Sequence, residues 1–129
     1  MGLTIINFGH PISASQRVTV AELAEVPTDD VDVVEVAVHF EHSSTFVDQA
    51  AAAVDAVGFD TARWSAGGYV VVLPGHAVIA AVVLAEIDGR SGSLPTIVRF
   101  VPGTAPGSWE VAELIDLRHH RNERARRLR

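Results

Sequence analysis

The sequence predicts a single Rossmann-like α/β domain, with a mainly parallel sheet flanked by helices and a final antiparallel strand. Three observations support this fold class. Apolar strand-like runs alternate with helical runs three times, two strand-like runs then follow each other directly, and two of the strands end in loops of glycine, proline and histidine. Such alternation is typical of a parallel sheet covered by helices. A chain of 129 residues is long enough for one such domain with a substantial core.

The first half of the chain contains two predicted strands and two predicted helices. Leu3–Phe8 is almost entirely apolar or β-branched and predicts a buried strand. Ser13 begins a capping-box pattern, which predicts a short helix. Val33–Phe40 alternates apolar and polar residues and predicts a strand with one buried face. Thr45 is a suitable helix cap, and the apolar spacing after it predicts a helix that stops at Gly58.

The second half continues the alternation and ends in a charged segment. Its predicted elements are, in order, a helical turn over Asp60–Trp64, a strand over Tyr69–Leu73, a buried helix over His76–Asp88, a loop over Gly89–Gly92, a strand over Thr96–Val101 and a strand over Trp109–Leu117. The last two strands should be antiparallel because no crossover helix separates them. We therefore predict a domain over residues 1–117 and an Arg-rich tail over residues 118–129, which should be solvated and frayed beyond one or two helical turns.

Composition limits the classes of function. The formal net charge of −6 argues against general nucleic-acid binding, so double-stranded DNA is not an expected partner. The chain has no cysteine, which excludes disulfides and thiolate metal sites. No signal peptide is recognisable, and the apolar run Ala77–Ala85 is too short to span a bilayer. We expect a soluble cytoplasmic protein with no membrane partner.

Two strand-end loops carry the strongest indication of a ligand site. Ligands of open α/β sheets bind outside the carboxyl ends of neighbouring strands, where the strand order switches. A helix start in such a loop also attracts anions through its free N–H groups and the helix dipole. A plain strand-to-helix turn, with local capping by its polar side chains, is the alternative explanation. The candidate ligand-binding residues in these loops are Asn7, Phe8, Gly9, His10, Pro11 and Ser13, followed by Leu73, Pro74, Gly75 and His76.

Other candidates lie outside these loops. Arg90 and Ser91 fall in the predicted loop after the long helix, and Arg99 lies on a half-buried strand, where a guanidinium needs either an internal carboxylate or an anionic ligand as its partner. The residues His39, Glu41 and His42 straddle the end of a predicted strand and lack the ligand spacing of a metal site, so no metal is expected. Neither G-x-G-x-x-G nor G-x-x-x-x-G-K-[ST] is present, and no cofactor is expected.

Several of these segments together resemble a known family. Asn7–Pro11, Leu73–Gly75, Leu84–Gly92, Pro95–Arg99 and Trp109–Leu117 are similar, in order and spacing, to the small CRISPR-associated Csx-fifteen family. The family accompanies type III CRISPR loci and is similar in fold to CARF-like Rossmann domains. The resemblance implies binding of a cyclic oligoadenylate second messenger, with cyclic tetra-adenylate as the favoured ring, and a role in damping that antiviral signal.

Three functions remain open from the sequence. The first is sequestration of the cyclic nucleotide by a homodimer that presents the same crevice twice to one ring. The second is a metal-independent ring nuclease in which His10 is the acid–base catalyst and Arg90 or Arg99 stabilises the transition state. In either case Trp64 and Tyr69 are candidates to stack on adenine. Hydrophobic packing under a loop is the alternative explanation, and it is the favoured one for Trp64. The third is an accessory protein whose tail contacts RNA or another subunit.

Overall fold

The computed structural model describes residues 2–129 as an α/β sandwich built on one five-stranded sheet. The strands are β1 (Leu3–Asn7), β2 (Val31–Glu35), β3 (Tyr69–Val72), β4 (Thr96–Pro102) and β5 (Trp109–Asp116). The helices are α1 (Ala14–Leu23), α2 (Phe46–Asp55), α3 (Thr61–Ala66), α4 (Ala77–Ser91) and α5 (Leu117–Arg127), with a 3-10 turn over Thr28–Asp30.

The sheet has the order β2-β1-β3-β4-β5. The first three pairings along this order are parallel, and β5 runs antiparallel to β4. The predicted mainly parallel sheet with a final antiparallel strand is therefore confirmed. Because β1 lies between β2 and β3, the chain order reverses at β1, and this reversal creates a switch point between the carboxyl ends of β1 and β3.

Each face of the sheet has its own apolar core. On one face, helices α2, α3 and α4 cover Ile6 and Val71, and Val83 and Ile87 of α4 are fully buried there. On the other face, α1 covers Ile5 and its neighbours with Val20 and Ala21. Strands buried on both faces read as continuous apolar runs, which explains the sequence of β1 and β3. Between residues 2 and 129, no helix combines the length and the apolar character needed to cross a bilayer.

Strand β2 is shorter than the predicted strand over Val33–Phe40. It starts at Val31 and ends at Glu35, and the last backbone bond towards β1 runs from the Val36 N–H to the Asn7 carbonyl at 2.9 Å. Because β1 turns away after Asn7, the chain beyond Val36 has no strand to pair with. It continues as an irregular segment that still buries Val36 and Phe40 on the predicted face.

Helix α4 is longer than predicted, and it is not buried all round. It continues through the expected loop to Ser91 and stops at Gly92, whose φ of 82° is a left-handed conformation that glycine adopts without strain. Gly89 and Arg90 are therefore helical. The exposed side of the helix consists mainly of alanines, with Val78 at 56% exposure.

The C-terminal segment forms a regular helix, which corrects the prediction of a frayed tail. Helix α5 runs over Leu117–Arg127, and the Asp116 side chain caps it by accepting the His119 N–H at 2.8 Å. The arginines are good helix formers. None of the residues of α5 is buried, so the helix gains little from packing on the domain.

Deletion of residues 122–129 should therefore leave the stability of the domain nearly unchanged. We expect the melting temperature to shift by no more than about 2 °C, because the truncated residues bury no apolar side chain. Differential scanning calorimetry of the full chain and of the truncated chain measures this shift. A fall of about 8 °C or more would show that α5 supports the core.

Candidate functional site

A cleft of about 450 Å³ lies at the carboxyl edge of the sheet, beside the switch point between β1 and β3. The register pairs Asn7 with Val72, so both strands end at the same level. Their loops face each other across this edge, and the segment that follows β2 forms a third side. The crevice predicted from the sequence is therefore present, and three stretches of chain surround it.

Six of the predicted ligand-binding residues line the cleft, and five further residues complete it. The predicted ones are Phe8, Gly9, His10, Pro74, Gly75 and His76; the others are Val38, His39, Phe40, His42 and Ile79. Four histidines thus share one cleft. The sequence did not reveal His39 as a member of this site because Val33–Phe40 was predicted to be a strand throughout. His42 follows that range in a turn whose path depends on a contact with α2.

Asn7 is fully buried and holds the first loop in place without lining the cleft. Its Nδ2 donates to the His10 carbonyl at 2.7 Å and to Oε2 of Glu35 at 2.6 Å, and its Oδ1 accepts the Gly9 N–H at 2.9 Å. Each polar atom of the amide has a partner, as buried polar groups require. Asn7 is therefore a positioning residue, in agreement with the local-capping alternative.

Gly9 sets the distance between the two loops. A Cβ atom at this position would lie 3.2 Å from the Leu73 carbonyl oxygen and 3.2 Å from Cγ1 of Val72. Both distances are shorter than ordinary van der Waals contact, and the carbonyl is part of the backbone. Gly9 is needed for this close approach of the loops.

His76 combines a capping role with a position in the cleft. It is the N-cap of α4, and its Nδ1 accepts the Ile79 N–H at 3.3 Å. Since Nδ1 is the acceptor, the neutral ring carries its proton on Nε2, which remains a donor for a ligand. Helix starts seldom use histidine as a cap, and Asn, Asp, Ser and Thr are preferred.

An aromatic cluster stands beside His76. The ring of His42 lies 5.8 Å from that of His76 and 5.5 Å from that of Phe46, and Phe46 contacts Phe40 at 5.5 Å between centroids. All three contacts are edge-to-face, an arrangement that aromatic rings favour. His42 and His76 are exposed, so the cluster presents two rings to solvent at the cleft.

Gln49 fixes the turn that carries His42. Its Oε1 accepts the Glu41 N–H at 2.6 Å, and its Nε2 donates to the Glu41 and Thr45 carbonyls at 2.9 and 3.1 Å. One side chain of α2 thereby replaces the strand partner that this segment lacks. No motif in the sequence pointed to this role, since a glutamine inside a helix is an ordinary surface residue.

Besides Asn7, three candidates from the strand-end loops lie outside the cleft lining. Ser13 caps α1 in a complete capping box with Gln16. Local capping was the alternative to ligand binding for this residue. Pro11 is exposed on the way to that helix, and Leu73 packs against the core. The two loops are therefore correctly located, while only their inner residues face the cleft.

Arg90 and Ser91 lie at the opposite end of α4, about 20 Å along the helix from its start at His76. Arg90 donates to Oε2 of Glu86 at 2.8 Å, to Oδ1 of Asp55 at 2.6 Å and to the Ala51 carbonyl. The hydrogen bond to Glu86 is the main cause that raises the pKa of Arg90, and Asp55 adds to it. Arg90 ties α4 to α2, and the structure does not bring it to the cleft.

Arg99 also has a protein partner. Its Nε donates to Oε2 of Glu113 at 2.6 Å across the antiparallel pair β4–β5, and both side chains are about half exposed. Of the two partners considered for Arg99, the structure thus provides the carboxylate. Arg99 does not line the cleft.

Trp64 and Tyr69 are placed at the amino edge of the sheet, away from the cleft. Trp64 is 2% exposed and packs edge-to-face on Phe59 and Tyr69. The Tyr69 hydroxyl donates to the Trp64 carbonyl at 3.0 Å. Neither ring is free to stack on adenine, because tertiary packing uses both, and the packing alternative for Trp64 is correct.

The His39–Glu41–His42 segment does not close into a metal site. Nε2 of His39 lies 3.1 Å from Oε1 of Glu41, whereas the His42 ring contacts His76 and Phe46 instead. Over residues 2–129, no group of three or more histidine, cysteine or carboxylate side chains is arranged to hold a metal ion.

The cleft supplies imidazole side chains, aromatic surface and a helix start. Histidines donate hydrogen bonds or exchange protons, and the first turn of α4 leaves N–H groups without intrahelical partners. This combination suits a ligand that carries both phosphate and a flat ring. Comparison with known proteins gives no family model, no curated protein and no solved structure that matches the chain.

Proposed function

We propose that the protein binds a cyclic oligoadenylate, most specifically cyclic tetra-adenylate, in the switch-point cleft, and that it damps type III CRISPR signalling in the cytoplasm by sequestering this messenger. The observation that carries the proposal is the cleft itself, with the two predicted loops on facing sides. The resemblance to the Csx-fifteen family supplies the identity of the ligand, and the sheet order suits a CARF-like domain.

The phosphates have suitable donors on one side of the cleft. The N–H groups of the first turn of α4 and Nε2 of His76 would contact one phosphate, and the positive end of the helix dipole favours the negative charge. His10, which is exposed on the facing loop, would contact the same or the next phosphate. These donors bind an anion locally although the protein has a net charge of −6.

The aromatic cluster provides a base subsite. An adenine that follows the bound phosphate would lie against the exposed rings of His42 and His76, with Phe46 behind them. Stacking of a base on aromatic side chains contributes about 1–3 kcal/mol per base. This subsite takes the place of Trp64 and Tyr69, the residues that the sequence suggested.

A homodimer fits this ligand because a cyclic tetranucleotide presents repeated phosphates to a two-fold pair of clefts. Val47 and Val78 are 61% and 56% exposed, and both lie in the first turns of helices that start at the cleft edge of the sheet. Exposed apolar residues beside a binding cleft are a suitable surface for a second copy.

Ring cleavage is a second candidate function, and the four histidines favour it. His10 was the only acid–base candidate in the sequence, whereas the cleft also contains His39, His42 and His76. One imidazole could accept the proton of a ribose 2′-hydroxyl while another donates a proton to the leaving 5′-oxygen. This reaction forms a 2′,3′-cyclic phosphate and opens the ring without a metal.

Incubation with labelled cyclic tetra-adenylate tests both functions. The purified protein is mixed with the ring, and bound and free nucleotide are separated on a native gel and then resolved by chromatography under denaturing conditions. We expect intact ring in the bound fraction. Linear products in either fraction would establish the nuclease, and ring that stays both unbound and intact at micromolar protein would rule out both proposals.

A further inference from the structure

The basic residues of this chain are concentrated in one element. Of the ten arginines, six lie within residues 118–129, where Glu123 is the single acidic residue. The other four arginines share the rest of the chain with fifteen carboxylates. A protein that is acidic as a whole therefore carries a strongly basic helix at its C-terminal end.

Four arginines of α5 form a ridge that winds half-way round the helix, because each step of three residues turns it by about 60°. Arg118, Arg121, Arg124 and Arg127 recur at every third residue, and residues at this spacing are neighbours on a helix surface. The ridge extends over about 14 Å. Glu123 pairs with Arg126 at 2.6 Å, and Arg126 does not belong to this ridge.

No ion pair neutralises the arginines of the ridge in the part of the chain that the structure describes. Arg121 donates to Oδ1 of Asn122 at 3.0 Å. Adjacent like charges destabilise a helix by a few tenths of a kcal/mol per pair. Since α5 buries none of its residues, packing does not explain this arrangement.

A polar cleft of about 320 Å³ lies at the base of the ridge, between α5 and the turn that follows α4. Arg118, Arg121 and Asn122 line it from α5, Asp88 lines it from α4, and Gly92, Ser93 and Leu94 line it from the turn. Two guanidiniums thus face one carboxylate in this cleft. This cleft is at the amino edge of the parallel strands, opposite the switch-point cleft. The two sites are therefore independent of each other.

We propose that α5 binds the phosphate backbone of a nucleic acid along the arginine ridge. Guanidiniums match phosphate geometry, and the cleft between Arg118 and Ser93, where Arg118 and Arg121 outnumber Asp88, would seat one phosphate. Arg124 and Arg127, further round the helix, would reach neighbouring phosphates. Guanidiniums that contact phosphate oxygens do not read the bases, so the contact carries no sequence preference.

Fluorescence anisotropy with a labelled RNA hairpin tests the proposal on the full chain. The variant R121Q/R124Q/R127Q removes three charges of the ridge, and glutamine keeps the helix propensity. The control A52E/S65E/A85E changes the net charge by the same amount at exposed positions of α2, α3 and α4. We expect the ridge variant to lose affinity at least about 10-fold at low salt, and the slope of log K against log salt to decrease in magnitude by about 2. The control should lose less than about 3-fold.

A DNA hairpin of the same sequence forms the second arm and distinguishes the two sources of phosphate. Binding of either hairpin that is lost in the ridge variant supports the proposal. No binding at low salt, or equal loss in the ridge variant and in the control, would overturn it. A difference in sedimentation coefficient between the wild type and the ridge variant, each without nucleic acid, would also overturn the proposal. It would show that α5 docks on the acidic surface of a second copy. Binding of cyclic tetra-adenylate should be retained in the ridge variant, so failure here is distinguishable from failure of the proposed function.

Discussion

Replacement of Asn7 with aspartate should lower the free energy of unfolding by about 3 kcal/mol at pH 7.5. The change keeps the shape of the side chain but puts a second carboxylate where Nδ2 now donates to Glu35 at 2.6 Å and to the His10 carbonyl at 2.7 Å. Both hydrogen bonds become repulsive contacts at a fully buried position. Urea denaturation of the wild type and of the variant measures the difference.

The pH dependence of this loss has a defined sign. In the folded variant the two facing carboxylates share a proton as the pH falls, whereas in the unfolded chain both are still ionised at pH 5. The folded state then binds more protons, so the difference from the wild type shrinks between pH 7.5 and pH 5. The double variant N7D/E35Q removes the repulsion and should recover part of the stability. A single variant within about 0.5 kcal/mol of the wild type at pH 7.5 would contradict the role assigned to Asn7.

The double variant H42A/H76N should raise the dissociation constant for cyclic tetra-adenylate at least about 30-fold, which corresponds to about 2 kcal/mol. It removes both exposed rings of the base subsite. Asparagine is a preferred N-cap, so it replaces Nδ1 of His76 as acceptor of the Ile79 N–H and preserves the start of α4. Isothermal titration calorimetry measures the affinity, and a melting curve verifies the fold.

The control for this experiment uses the same residue type at another place. His119 and His120 are exposed on α5, far from the cleft, and H119A/H120N should bind the ring with an affinity within about 2-fold of the wild type. If both double variants bind like the wild type, the rings of His42 and His76 do not contact the base. The cleft would then bind through its backbone donors alone, and the base subsite would have to be abandoned.

Much of the fold could be predicted because local signals and tertiary packing agree. Continuous apolar runs identified β1 and β3, and Ser13 and Thr45 are caps in the structure as in the prediction. The two errors in length, at β2 and at α4, have a common origin. The end of β2 depends on where its neighbour β1 turns away, and α4 continues through Gly89 because α2 provides Asp55 and the Ala51 carbonyl as partners for Arg90. Neither cause is visible in the local sequence.

The site was only half predictable for a similar reason. Glycine and proline mark the positions where strands end, so Gly9 and Gly75 indicated loops at the carboxyl edge of the sheet. His42 reaches that edge because Gln49 of α2 holds the irregular turn at Glu41, eight residues before it in the chain, by a hydrogen bond. An arginine in a sequence suggests an anion site, whether or not the folded protein places a carboxylate beside it. Arg99 pairs with Glu113 because the register of β4 and β5 places them opposite each other. Patterns in a single sequence do not determine that register.

The two tryptophans differ in exposure and can serve as intrinsic fluorescence probes of two parts of the molecule. Trp64 is enclosed at 2% exposure among Phe59 and Tyr69, whereas Trp109 is 55% exposed at the start of β5, where its carbonyl accepts a hydrogen bond from Gln16 of α1. A water-borne quencher such as acrylamide will reach the second indole and not the first. Quenched emission thus follows the solvent-facing edge of the sheet, and the residual blue-shifted emission follows the interior. A single quenching experiment on tryptophan emission can therefore distinguish docking of a partner on β5 from opening of the core, without an added label.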